Sequence, residues 1–259
     1  MHITDTENLL RYAVHEVSVM NLILPKEHGA WAMLIVPFAV GAAVYELNWL
    51  QVTLFLGWFF LYLSSYPLLM ISRNQRNAVQ YSKWLVIYGA IAVAFLIAPL
   101  IYYPGLLWLG AVLLPVLSVN VYFARTNGER NLFNDFTAIA GLSLGAVASG
   151  YVGSGSWHTQ LILAWLYCVL FFMGSVFFVK TMIRERGSPC FHHLSWGYHA
   201  AVVMLVFFLS ESWALTLAYL PSLVRSIGCT GSAMTPLQIG KLEIANSMFF
   251  MILLIKYFN

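Results

Sequence analysis

Lys180 and Arg184 stand one helical turn apart, with Arg186 just beyond, at the close of a long apolar stretch. Residues of that kind at that spacing suit an anion, because arginine offers a planar fork to phosphate or carboxylate oxygens and lysine a compact point charge. The pattern recurs at the ends of other apolar stretches, with Lys26 before the first and Arg73 and Arg76 after the second. Asn134 and Gln238 add neutral donors at the starts of two more. Glu27, His28 and Glu243 occupy equivalent positions and are the groups suited to moving a proton. Helix starts at His28 and Asn134 would add positive dipole ends. Together these residues could recognise a phosphate- or carboxylate-bearing molecule, with Glu27, His28 and Glu243 in the catalytic role and Lys26, Arg73, Arg76, Asn134, Lys180, Arg184, Arg186 and Gln238 in substrate binding.

The elements that must position them are membrane spans. Nine apolar segments, 29–46, 50–71, 84–103, 106–124, 136–153, 159–180, 195–210, 212–224 and 242–257, have about the length needed to cross a ~30 Å hydrocarbon core. With the N-terminus in the cytoplasm, twelve of the thirteen basic residues fall on the cytoplasmic side, and only Lys256 lies on the other. That asymmetry orients the chain and favours an odd number of spans. Apolar residues make up 61% of the 259 and charged residues 9%, against roughly 25% charged in soluble domains. The sequence therefore predicts an all-α integral membrane protein, a single bundle of about nine transmembrane helices over residues 24–259. The net charge of +3 reflects the loop bias and points to membrane lipids as partners, with no nucleic acid. The first span carries no cleavage site of a signal peptide.

Residues 1–23 have two readings. Thr4-x-x-Glu7 resembles a capping box ahead of an apolar stripe through Leu9, Leu10, Ala13, Val14 and Val17, as in a helix lying on the cytoplasmic leaflet. The other reading is a loosely ordered tail, or sequence upstream of a start at Met20. In the fifth span Gly141, Gly145, Ser149 and Gly153 give a smooth face, for close helix packing or for the wall of a lipid groove. Trp49, Trp58, Trp84, Trp108, Trp157 and Trp213 fall near the expected interfaces, as an aromatic belt does. Cys168, Cys190 and Cys229 form no CxxC pair, and no HxxxH or CxxCH spacing is present, so the residues call for no disulfide framework, metal or cofactor. Interfacial anchoring, with lysine and arginine snorkelling toward headgroups, competes with the functional reading of each basic residue. The functional reading is strongest for Lys180 and Glu243, which lie within spans, where charges are costly and tend to be functional.

Leu24-Pro-Lys-Glu-His-Gly-Ala-Trp-Ala-Met33 resembles the opening of the YwiC-like family of bacterial membrane proteins. Val179-Lys-Thr-Met-Ile-Arg-Glu-Arg186 and Leu237-Gln-Ile-Gly-Lys-Leu-Glu243 are similar to later parts of that family, and the resemblance runs from about residue 22 onward. It implies a multi-pass protein of the bacterial inner membrane. More distantly, nine spans with polar connections after the second and sixth resemble the UbiA-type intramembrane prenyltransferases. Those hold a prenyl diphosphate through Mg²⁺ on two aspartate-rich motifs. Here Arg73 and Arg76 stand in the first position and Lys180-x-x-x-Arg184 in the second, so a hard cation has few oxygen ligands. Three functions follow as expectations. The first is a UbiA-like membrane transferase, or a degenerate relative, holding an anionic amphiphile in a basic cytoplasmic-facing cavity without a magnesium-aspartate site. The second is a non-catalytic carrier or binding protein for such a molecule. The third is a haem- or redox-associated protein using His28 and His199.

Overall fold

The computed structural model describes residues 23–25, 28–73 and 78–259, apart from the side chain of His28. The expected interfacial segment before residue 23, Lys26, Glu27, Arg76 and the His28 side chain therefore lie outside the described residues. Among the described residues there are nine helices and no strand: α1 (His28–Val44), α2 (Trp49–Arg73), α3 (Ala78–Tyr102), α4 (Leu106–Arg125), α5 (Leu132–Ser154), α6 (Thr159–Ile183), α7 (Pro189–Ser210), α8 (Trp213–Gly228) and α9 (Pro236–Phe258). Seven are long and apolar enough to cross a membrane. The others, α1 with 17 residues and α8 with 16, are shorter. The chain is an all-helical, multi-pass membrane bundle, and each expected span has its helix.

Several helices begin before the apolar stretch they carry. Helices α3, α7 and α9 start at Ala78, Pro189 and Pro236, where the hydrophobic run predicts 84, 195 and 242. Local chemistry explains two of these starts. Ser188 caps α7 through the Phe191 amide, and Pro189 follows at the first turn. Thr235 and Gln238 form a reciprocal capping box, again with proline next in the chain. Proline there has no amide hydrogen to leave unsatisfied. Asn131 caps α5 by accepting from the Phe133 amide at 2.8 Å, and Gly155 closes α5 in the left-handed conformation with φ +72°.

The two ends of the bundle differ in kind. One gathers the α1–α2, α3–α4 and α5–α6 connections through neutral contacts. The Gln51 amide donates to the Ser149 carbonyl at 2.9 Å, Tyr45 donates to Gln160 at 2.9 Å, and Tyr103 packs edge-on against Tyr151. The other end carries the lysines and arginines of the α4–α5, α6–α7 and α8–α9 connections, and is the basic end below.

Helices α5 and α6 are the most enclosed, and α3 and α4 the least. The small-residue face of α5 is used for packing. A Cβ on Gly41 of α1 would meet the Ala146 carbonyl oxygen at 2.1 Å, so the two backbones touch there. Beside this contact Ser149 Oγ donates to the Phe38 carbonyl at 2.7 Å. Gly145 faces Trp58 and Phe38, and Gly153 faces Gln51 and Tyr45. This corrects one expectation: Trp58 is not an interfacial tryptophan but a buried one, its ring filling the room that Gly145 leaves. It lies mid-helix in α2, away from either boundary. Trp49, Trp108 and Trp213 are largely exposed, as belt residues should be.

Candidate functional site

Helix α6 enters its last turns with side chains pointing to two different neighbours. Residues 178 and 180 are about 200° apart around a helix, and each face meets a charge of a neighbouring helix. On one face Lys180 Nζ lies 2.5 Å from Asp135 Oδ2 of α5 and donates to the Arg130 carbonyl at 2.7 Å. The side chains are 10% and 23% exposed. Asp135 sits in the first turn of α5, where the helix dipole favours a negative charge.

On the other face Ser175 and Phe178 meet Arg225 of α8, which is ion-paired with Glu243 of α9. These two are 5% and 13% exposed. The Arg225 guanidinium lies over the Phe178 ring at 4.5 Å and donates to Ser175 Oγ at 3.4 Å. A ring face under a desolvated guanidinium adds attraction through its quadrupole. One turn further in, Asn246 donates to Ser222 Oγ at 2.9 Å. Glu243 Oε2, Asn246 Oδ1 and Arg225 Nε have no hydrogen-bond partner among the described residues. His199 of α7 is buried nearby. Its Nδ1 meets the Ser195 carbonyl at 2.7 Å, and its Nε2 points at Gly174 of α6 without a partner.

An aromatic plug closes this polar seam toward the far end. Phe171 and Phe250 stack at 3.9 Å between centroids, and Tyr219 packs on both. All three are buried, and the Tyr219 hydroxyl is spent on the Tyr167 carbonyl at 2.8 Å. The seam is thus polar from the basic end inward and apolar beyond.

The residues nominated from sequence take varied places. Arg73 makes an exposed pair with Glu129 at 3.2 Å, and Asn134 donates to the Glu129 carbonyl at 2.9 Å. Arg186 donates to the Ser232 carbonyl at 2.9 Å, tying the α6–α7 connection to that between α8 and α9. Gln238 is engaged in the α9 cap. Arg184 is exposed, one turn beyond Lys180, with no ion pair among the described residues. Glu243 is paired, but with Arg225. The structure therefore brings Lys180 together with Asp135, and Glu243 with Arg225, on separate faces of α6. Neither Asp135 nor Arg225 is among the residues nominated from sequence; the signal that could have found them is their place, Asp135 just before the fifth apolar stretch and Arg225 just after the eighth. Among the described residues no group of three or more His, Cys, Asp or Glu side chains is disposed to hold a metal ion. Of the three cysteines Cys168 is buried, Cys190 exposed and Cys229 between, all unpaired.

The opening of α1 is set back from this rim. Trp31 packs against Phe59 and Tyr62 of α2, and α2 runs on to Arg73, about 16 Å further at 1.5 Å per residue. Just upstream, the Ile23 carbonyl accepts from Tyr88 on α3 at 3.0 Å. Ile23 and Trp31 are thus each held against inner turns, of α3 and of α2.

A family model described as YwiC-like protein matches residues 24–150, which include Asp135. A protein of Bacillus subtilis (strain 168), named uncharacterized protein YwiC, is 38% identical over 232 residues, covering 90% of this chain and 96% of its own. The chain belongs to the YwiC-like family. A second relative, an uncharacterized protein of Haemophilus influenzae, is 36% identical over 236 residues, 91% of this chain and 98% of its own. No solved structure matches. The similarity to both relatives thus extends over nine-tenths of the chain.

Proposed function

We propose that this YwiC-like protein binds the anionic headgroup of an amphiphile at the basic end of its bundle, on the cytoplasmic side. It does so as a membrane transferase, or a descendant of one, that holds phosphate or carboxylate by direct contact with lysine and arginine. One observation carries the reading: two cations, Lys180 and Arg225, are kept nine-tenths buried at the same end of a membrane bundle. Charges at such depth are expensive and tend to mark a ligand path or site. Arg184 stands free one turn outside Lys180, within reach of a headgroup at the rim. The Phe171–Phe250 stack favours a one-sided site over a through-path, and so a transferase-like chamber over a carrier.

The test is native mass spectrometry of the protein in mild detergent, followed by ligand retention in reconstituted membranes. R184A and K180A should each lower retention of the co-purified amphiphile. A charge-assisted contact contributes roughly 1.5–3 kcal/mol, so the loss should be about tenfold to a hundredfold. Chelation of Mg²⁺ should change little. Full dependence on Mg²⁺ with indifference to both substitutions would overturn direct contact.

A further inference from the structure

Arg225 and Glu243 form a closed ion pair at the inner wall of the seam. The guanidinium keeps its proton, so the titrating member is Glu243. An anion that takes the Nη1 edge of Arg225 from the basic end displaces the Glu243 carboxylate from it. A displaced carboxylate left ionised in these surroundings would be a second buried negative charge against one positive charge. Such an uncompensated charge is costly, and a carboxyl group escapes the cost by taking up a proton. Glu243 Oε2 has no hydrogen-bond partner among the described residues, so its protonation breaks no bond.

From this geometry we infer that anion binding at Arg225 is coupled to the uptake of one proton by Glu243. The inference rests on the headgroup reading above and adds its regulation. The step is an exchange of partners. The carboxylate leaves the guanidinium, the incoming anion A⁻ takes its place, and the carboxylate accepts H⁺, so the site's net charge is unchanged. Above the pH at which Glu243 can hold that proton, affinity should fall about tenfold per pH unit, the slope set by one proton per anion.

Other charged or titratable groups share this end of the bundle, and among them only an imidazole or a second carboxylate could take up the proton instead. Helix α8 contributes Arg225 and Cys229, and α6 contributes Lys180, which is paired on its far face with Asp135. Helix α9 itself carries the exposed Lys241. His199 of α7 lies within electrostatic reach of Arg225. The experiment separates Glu243 from these.

The probe is dihexanoylphosphatidylglycerol, whose phosphodiester keeps one negative charge throughout the range used. Its binding to the purified protein in maltoside micelles is followed by titration calorimetry at pH 6 and pH 8. Two buffers of different ionisation enthalpy report the protons taken up, and dihexanoylphosphatidylcholine is the zwitterionic control. Binding with about one proton taken up, lost in E243Q and kept in H199Q, is expected. Binding of the wild type with no proton uptake overturns the exchange and leaves the headgroup reading standing. Uptake that survives E243Q and disappears in H199Q also overturns it. Absence of binding at both pH values overturns the headgroup reading and the exchange with it. The wild-type measurement decides the coupling even if E243Q does not fold.

Discussion

Replacing Lys180 by methionine should cost the bundle far more stability than replacing Arg73 by methionine, although both remove a cation from an ion pair. The Lys180–Asp135 contact is 2.5 Å long, with side chains 10% and 23% exposed and a second bond to the Arg130 carbonyl at 2.7 Å. The Arg73–Glu129 contact is 3.2 Å long, with side chains 47% and 35% exposed. Breaking a buried pair from one side costs about 3–5 kcal/mol, because the partner is stranded. Asp135 retains some exposure and a favourable helix dipole, which places Lys180→Met near the lower figure, about 3 kcal/mol. An exposed pair contributes about 0–1 kcal/mol, so Arg73→Met should lose less than about 1 kcal/mol. Adding Asp135→Asn to Lys180→Met removes the stranded charge and should restore part of the loss. The assay is reversible unfolding in mixed micelles of a mild and a denaturing detergent, for the wild type, both single variants of the buried pair, the double variant and Arg73→Met. Equal small losses for Lys180→Met and Arg73→Met would refute the buried-pair argument. So would strict additivity of Lys180→Met and Asp135→Asn.

Two further outcomes follow from packing and charge placement. Gly41→Ala drives a methyl into the Ala146 carbonyl and Ser149, and should destabilise by about 1–3 kcal/mol in the same unfolding assay. Gly89→Ala, whose Cβ meets nothing within 4 Å, should be neutral or stabilising, since alanine is the better helix former by about 1 kcal/mol. Reporter fusions after Gly153 and Ser188, which lie at opposite ends of the bundle, should report opposite sides of the membrane, with Ser188 in the cytoplasm. The same side for both would sink the orientation.

The fold was legible because lipid imposes a coarse rule. Backbone groups must be satisfied within each span, so long apolar runs become helices whatever their detailed packing. Helix starts were less legible. Ser188-Pro189 and Thr235-Pro236 extend α7 and α9 beyond the apolar runs, and hydropathy alone does not register a cap. Trp58 shows the same limit, since an aromatic in a span reads alike whether it faces headgroups or a glycine. At the site, the charged residues could be named but not paired. Lys180 and Glu243 stood out as span-buried charges, yet the identity of Glu243's partner depends on how α8 and α9 meet. Arg225 is near the end of a 16-residue helix, where sequence alone suggests a loop charge, and tertiary packing draws it against Ser175 and Phe178. The Thr235–Gln238 box leaves Gln238 bonded to its own helix.

The two charge pairs also bear on how the bundle keeps its register. Between helices in lipid, apolar contact discriminates little, because lipid tails are as apolar as leucine. Rotation of α6 about its axis would be weakly opposed by the phenylalanines alone. Lys180 is held to α5 on one face, and Ser175 and Phe178 to Arg225 on the other. A turn that relieves one contact strains the other. Registry and ligand binding therefore make separable demands on these residues. Arg184 has no part in the register, being exposed and outside any ion pair among the described residues. If Lys180 serves only to hold α6, its loss lowers stability and R184A leaves ligand retention intact. If the headgroup reaches the rim of α6, R184A lowers retention in a protein whose unfolding is unchanged. That second pattern assigns a binding role to a residue that the fold does not require.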